Sequence, residues 1–270
     1  MADHLFRADD SRATIADALK VQARVIYALI LRDMRTRFGR SHFGYLIQIA
    51  WPLFHLFLLI AIPHLLARVP PIGTDLTIYL VTAFLPYVLL FYPARLMCLA
   101  IIVARPLLLF PIVKSSDILI ARALLEGLTS YVVTLIAIAC LALMGKDVMP
   151  DDLIEAVFAI LAIIFVGIGY GSLNAVITTM FPPWNIVAVL TMVLMYATAM
   201  PWVLPTFLTP EIQYWLSWNP LFQCADWLKT AYFAGYQSGL LDRTYLIGTG
   251  VLTFFSAFLI ERAIRGRLLE

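Results

Sequence analysis

A chain of 270 residues that is 62% hydrophobic and 13% charged, with a mean hydropathy of +0.90, departs from the roughly 45–50% apolar and about 25% charged residues of soluble domains. The excess excludes a soluble globular enzyme and a disordered chain. A nucleic-acid-binding module is excluded as well, since 19 Lys and Arg against 17 Asp and Glu leave a net charge of only +2 and no basic field. An all-α polytopic membrane protein is expected, forming one membrane domain over 1–270. Cys98, Cys140 and Cys224 are widely spaced and odd in number, so neither a disulfide framework nor a thiol metal site is implied. Asp3, Arg7, Asp9, Asp10 and Arg12 occupy the first residues with no early apolar run, and no signal peptide is expected.

In chain order, 11–38 reads first, as an amphipathic interface helix. Ile15, Leu19, Ile26 and Ile30 recur at roughly helical spacing, and Arg24, Arg32, Arg35 and Arg37 give a cationic side for anionic headgroups. A helix crossing about 30 Å of hydrocarbon needs around 20 mostly apolar residues. Six stretches meet that demand, at 45–66, 76–97, 118–144, 153–180, 185–204 and 244–260. With the N-terminus inside, fifteen of the nineteen Lys and Arg fall on one side, leaving Arg68, Lys146, Lys229 and Arg243 outside. Cytoplasmic flanks hold the basic excess, so both termini are expected in the cytoplasm.

The segment 212–234 is apolar enough to tempt a seventh span. Asn219-Pro220 interrupts it, Asp226 and Lys229 are costly at membrane depth, and a seventh crossing would carry the basic tail outside. A re-entrant hairpin over 211–235 fits better, with Trp215, Trp218, Trp227, Tyr214, Tyr232 and Tyr236 suited to headgroup depth; an ordinary loop with surface aromatics is the alternative. Asp226 and Lys229, three apart on the second short helix, could pair there.

No catalytic constellation is visible. His4, His42, His55 and His64 are scattered, no metal site is expected, and no two carboxylates share a predicted face inside the membrane. The stretch GRSHFG at 39–44 has glycine spacing but Tyr45 stands where a phosphate-binding Lys would be needed, so another chain must hydrolyse any nucleotide. Glu126, with Arg122 one turn earlier and Arg95 as a second candidate partner, is the ionisable residue well inside a span. It is either a relay, as in an ion-coupled secondary transporter, or half of a structural pair.

The run RDMRTRFGRSHFGY at 32–45, leading through Trp51-Pro52, resembles the leading segment of ABC-2-type polysaccharide-exporting permeases. Trp218-Asn219-Pro220-Leu221 and the later YFAGY at 232–236 resemble their aromatic region before the last helix, and the likeness is closest to the capsular polysaccharide branch. The resemblance implies a homodimer joined to two copies of an ABC ATPase that binds ATP and Mg, this chain needing no cofactor. The complex would move a lipid-linked polysaccharide to the periplasm, with O-antigen or teichoic acid as alternative glycans and further periplasmic or outer-membrane export proteins as partners.

Sugar polymers are gripped by aromatic faces and neutral hydrogen-bonding groups. Trp51 and His55 on the first span, Phe84, Tyr87 and Phe91 on the second, and Tyr170, Asn174 and Thr178 on the fourth lie at helical spacing and are candidates for the path; ordinary packing or lipid-facing positions are the alternative. GIGYG at 167–171 contains GxxxG, which serves either packing within the chain or a dimer seam. The connection 104–117, with Arg105, Leu108, Phe110, Lys114 and Asp117, looks like a coupling helix for the ATPase, an apolar centre in a charged rim. Arg35, Arg37 and Arg40 either grip a headgroup phosphate or anchor the chain on anionic lipid. Trp215, Trp218, Trp227, Asp226 and Lys229 would shape a periplasmic gate.

Overall fold

A computed structural model describes residues 15–38 and 43–268, and every regular element among them is helical. Helix α1 is Ile15–Phe38, α2 Phe43–Leu65, α3 Leu76–Met97, α4 Ala100–Val103, α5 Ser115–Leu143 and α6 Leu153–Met180. After these come α7 at Trp184–Ala199, α8 at Pro210–Ser217, α9 at Pro220–Tyr232 and α10 at Arg243–Ile264. Among the described residues, five stretches are long and apolar enough to cross a membrane: Leu46–Leu65, Leu76–Val103, Ser115–Leu143, Leu153–Met180 and Arg243–Ile264.

The fifth expected span is shorter than its apolar run. Pro182-Pro183 precede α7, and the chain leaves it at Met200, whose φ of 44° is left-handed, with Pro201 next. A non-glycine residue in that region ends a right-handed helix, and a following proline disfavours helix at the same point. The result is a 16-residue helix where 185–204 predicts twenty.

The centre of the bundle is α3, buried along nearly its whole length and packed against α2, α5, α6, α7 and α9. Alternating glycines of α6 let two helices approach at once. A methyl group added to Gly167 would lie 3.0 Å from the Leu90 Cα, and one on Gly171 would lie 3.0 Å from the Ala94 Cα, both on α3. One on Gly169 would lie 2.8 Å from the Gly250 carbonyl oxygen on α10. The 167–171 run is thus a two-sided seam inside the chain. Small residues serve this purpose in membrane bundles, where dispersion between close backbones replaces the hydrophobic drive.

A second apolar cluster joins Leu29 of α1, Ile118 and Leu119 of α5, Ala175 and Val176 of α6, and Ala257 and Ile264 of α10. Val25, Ile26 and Ile30 pack against it, so α1 docks on the protein through this stretch. Ile15 and Leu19, from the predicted apolar stripe, remain exposed. At the other end of the bundle, Asp75 caps α3 by accepting from the Thr77 N–H at 2.7 Å and pairs with Lys146 at 2.8 Å, tying two connections together.

Candidate functional site

Three of the predicted path stripes sort into two environments. Phe84, Tyr87 and Phe91 of α3 are buried within the chain, and α2 brings His55 to them: its ring lies edge-on to Tyr87 at 5.7 Å and its Nδ1 is 3.1 Å from the Tyr92 hydroxyl. From α7 comes Tyr196, whose ring stacks on Tyr87 at 4.2 Å, with Trp202 at 5.9 Å beyond it. Offset and edge-to-face contacts of this kind are the favoured aromatic geometries. Tyr92, Tyr196 and Trp202 were not among the sequence candidates. Tyr196 and Trp202 are the aromatics of the second half of the fifth apolar run, a signal that could have marked them.

Phe84, Tyr196 and Trp202 also line a cavity of about 290 Å³ between α2, α3 and α7, closed further by Leu59, Ile62 and Arg68. Trp51 is exposed beside Phe54 at 6.1 Å, and its side chain reaches the Tyr92 hydroxyl that His55 also meets. The α6 stripe turns into the protein: Asn174 accepts from the Trp184 Nε1–H at 2.9 Å, Thr178 is fully buried, and Tyr170 packs on the main core.

The hairpin region splits in the same way. In α9 the side chains from Pro220 to Lys229 are buried, whereas Trp215 and Trp218 on and after α8 are exposed and flank Tyr214 at 5.4 and 6.4 Å. Asn219 makes the corner: its Oδ1 accepts from the Leu221 N–H at 2.9 Å, and its amide donates to the Met195 carbonyl of α7 at 2.8 Å, which also takes the Thr198 hydroxyl at 3.2 Å. Gln223 donates to the Ser217 and Leu240 carbonyls and accepts from the Asp242 N–H, which fixes the start of α10.

The expected Asp226–Lys229 pair does not form. Asp226 accepts from the Tyr236 hydroxyl at 2.7 Å and from Ser238, while Lys229 donates to the Pro201 carbonyl at 2.7 Å and lies over the Tyr79 ring at 5.3 Å. Each buried charge takes its hydrogen bonds from groups outside its own helix, and the two charges meet each other only through electrostatic attraction across one turn. Lys229 thereby caps the break that follows α7. Trp227 donates to Glu155 at 2.8 Å, and Glu155 also binds Arg243 at 2.8 Å, a latch between α6, α9 and α10.

At the opposite end, Arg122 reaches three groups. It donates to Asp33 of α1 at 2.8 Å and to the Leu96 carbonyl at 2.9 Å, and its Nε lies 3.2 Å from Glu126. Arg95 lies over the Phe91 ring at 6.0 Å. Arg35 is exposed on α1; the Arg37 side chain and Arg40 lie outside the described residues, as does much of the 32–45 segment.

The 104–117 connection, expected as a coupling helix, holds only one short helical piece before α5. It is a 3-10 turn at Arg105–Leu109 followed by a bend through Pro111, which cannot donate to a continuing ladder. Arg105, Phe110 and Lys114 are exposed, and the apolar tip is Leu109, Phe110 and Ile112. Leu108 and Asp117 are buried instead. Asp117 accepts from the Lys114 N–H at 3.1 Å and from the Gln22 amide of α1 at 3.0 Å, so it caps α5 where a charged rim was expected.

No protein-family model matches the chain. The polysialic acid transport protein KpsM of Escherichia coli is 28% identical over 247 residues, covering 90% of this chain and 94% of that protein. The capsule polysaccharide export inner-membrane protein CtrC of Neisseria meningitidis serogroup B is 26% identical over 253 residues, 93% of this chain and 95% of its own length. Its serogroup A counterpart is 21% identical over 224 residues. The similarity to KpsM and to the serogroup B CtrC covers at least nine-tenths of this chain and of each of those proteins, and it agrees with the likeness of the 32–45 and 218–236 segments to ABC-2-type permeases of the capsular branch.

Proposed function

We propose that the chain is the membrane subunit of an ABC exporter that carries capsular-type, lipid-linked polysaccharide from cytoplasm to periplasm, driven by a separate ATPase. The observation that carries this reading is the near full-length similarity to the capsule export proteins. In it, two copies of the chain join two ATPase subunits in the inner membrane, and ATP and Mg are held by the ATPase.

Six crossings with both termini inside suit the chain better than five. An odd number would put the basic tail and the basic 11–38 region on opposite sides, against the distribution of Lys and Arg. The short α7 is then the fifth crossing, α8 and α9 the re-entrant hairpin, and α1 the interface helix. The buried polar side chains of α9 support this, since backbone and charge survive at membrane depth only where protein or water satisfies them. The aromatic group of His55, Phe84, Tyr87, Phe91, Tyr196 and Trp202 offers stacking faces for sugar rings along the path. Leu109, Phe110 and Ile112, flanked by Arg105 and Lys114, form the surface that meets the ATPase. Arg35, Arg37 and Arg40 meet the lipid headgroup, and Trp215 and Trp218 border the exit.

Against an ion-coupled transporter stands Glu126, which is held by Arg122 in a buried network that also takes Asp33. The test is export in cells carrying an ATPase unable to hydrolyse ATP: export should cease there, yet continue in a Glu126→Gln variant. Export that persists without ATP hydrolysis would overturn the reading. For the crossings, a cysteine at Gln237 should be labelled from the periplasm; labelling from the cytoplasm would refute the hairpin.

A further inference from the structure

The exit of the 104–114 connection is held by a polar clasp that no transport role yet explains. Six buried or partly buried groups from α1, α5 and the end of α10 meet at the first turn of α5. Ser115 donates to Glu261 of α10, and Arg265 grips the same carboxylate through two bonds, at 3.0 and 2.9 Å, while its other contact reaches the Ser116 hydroxyl at 3.4 Å. One residue further on, Asp117 takes the Gln22 amide of α1. Glu261 is 1% exposed and Asp117 2%. Burying a carboxylate is costly unless each oxygen is paired, and bidentate arginine is the geometry that fixes direction as well as charge.

Around the clasp, Leu29, Ile118, Leu119, Ala257 and Ile264 form one apolar cluster, so α1, the start of α5 and the end of α10 are already packed as a unit. One turn beyond, Arg122 extends the tie to Asp33 and to the end of α3. The apolar tip Leu109 to Ile112 projects from this body, with Leu109 84% exposed.

We propose that Glu261 is a positioning residue for transport: it locks the exit of the 104–114 connection to α10, as Asp117 locks it to α1, so that force applied at the tip moves the three helices as one body. This rests on the reading of the tip as the ATPase contact. A load-transmitting joint needs directional bonds, and a buried carboxylate gripped by Ser and Arg adds these to the apolar packing around it.

The experiment uses the assembled complex of this chain with its ATPase in native membranes. Glu261→Ala should lower export about tenfold while ATP hydrolysis per complex stays within about twofold, the mark of uncoupling at a constant hydrolytic barrier. Glu261→Gln, which keeps an acceptor for Ser115 and Arg265, should recover most of the loss. In a Ser115→Cys, Glu261→Cys pair, with the single substitutions as controls, export should be low when reduced and should rise when a short bifunctional thiol reagent bridges the two. Unchanged export in Glu261→Ala would overturn the proposal, as would a parallel loss of assembly, hydrolysis and export that Gln does not repair. Bridging that fails to raise export would show that the two helices must separate, and would overturn it too. Wild-type export that needs no ATP hydrolysis would instead remove the reading beneath it.

Discussion

Helices α2 and α9 invert what hydrophobicity alone suggests. The Leu46–Leu65 stretch of α2 carries no acidic residue, Lys or Arg and only Gln48, His55 and His64 as polar side chains, yet little of it is covered by the rest of the chain; Leu46, Ile47, Phe54 and Leu58 are exposed. Helix α9 carries Gln223, Asp226 and Lys229 and is buried almost entirely. Lipid tails are as good a neighbour for leucine as another leucine, so an apolar helix gains little by turning inward. Amide and charge have no partner in hydrocarbon and are driven into the protein. In this chain, polar residues at helical spacing mark the interior more faithfully than apolar ones do.

That contrast can be broken most directly at Asp226. Asp226→Ala strips the acceptor from Tyr236 and Ser238 and leaves their hydroxyls buried, and should destabilise the detergent-purified protein by about 3 kcal/mol, read as a fall in its thermal midpoint. Leu58→Ala on α2 should shift the same midpoint by less than about 0.5 kcal/mol. A large effect there would mean that a second copy of the chain covers this face. Next in size is the α6 seam: Gly169→Val puts carbon atoms against the Gly250 carbonyl and Thr253, and should cost about 1–3 kcal/mol through overpacking, whereas Gly248→Ala, with open space around it, should be nearly silent.

Asn219→Ala loses both the cap of α9 and the bond to Met195, and should cost about 1 kcal/mol; limited proteolysis between α7 and α9 should quicken with it. The smallest effect concerns Asp75. Burial raises its pKa, but the hydrogen bonds from Lys146 and Thr77 outweigh this and hold it below its ordinary 3.8. A depressed folded pKa means the contribution is complete above the unfolded value and disappears as pH falls through the folded one. The acid arm of a stability profile should therefore flatten slightly in Asp75→Asn, by less than about 1 kcal/mol given solvent screening of so exposed a pair.

Much of the fold is readable in the apolar runs. The first four spans and the last, the interruption at Asn219-Pro220 and the two short helices around it all follow from length, periodicity and proline. The end of α7 does not, because a hydropathy window averages over Met200 and cannot register a backbone that turns left-handed there. Nor does the partner choice of Asp226 and Lys229, since spacing along one helix ignores groups that Pro201 and Tyr236 bring from elsewhere. The aromatic group of α3 was visible as a stripe, yet its completion by Tyr196 and Trp202 depends on the packing of α7, which the sequence does not encode locally. Asp117 misled for a similar reason. A carboxylate at the third position of a helix is as ready to cap it as to meet a partner, and the Gln22 amide decides the matter from ninety-five residues away.

The brevity of α7 has a consequence for the bilayer itself. Sixteen residues rise about 24 Å, some 6 Å short of a typical hydrocarbon core of about 30 Å. In the six-crossing arrangement the lipid beside α7 must pinch inward or the helix must recruit polar neighbours to fill the gap, and Lys229 and Asn219 already stand at its end. In the proposed export, a locally thinned sheet would shorten the apolar distance that a hydrophilic polymer has to cross, so the membrane would be shaped by the protein as part of the passage.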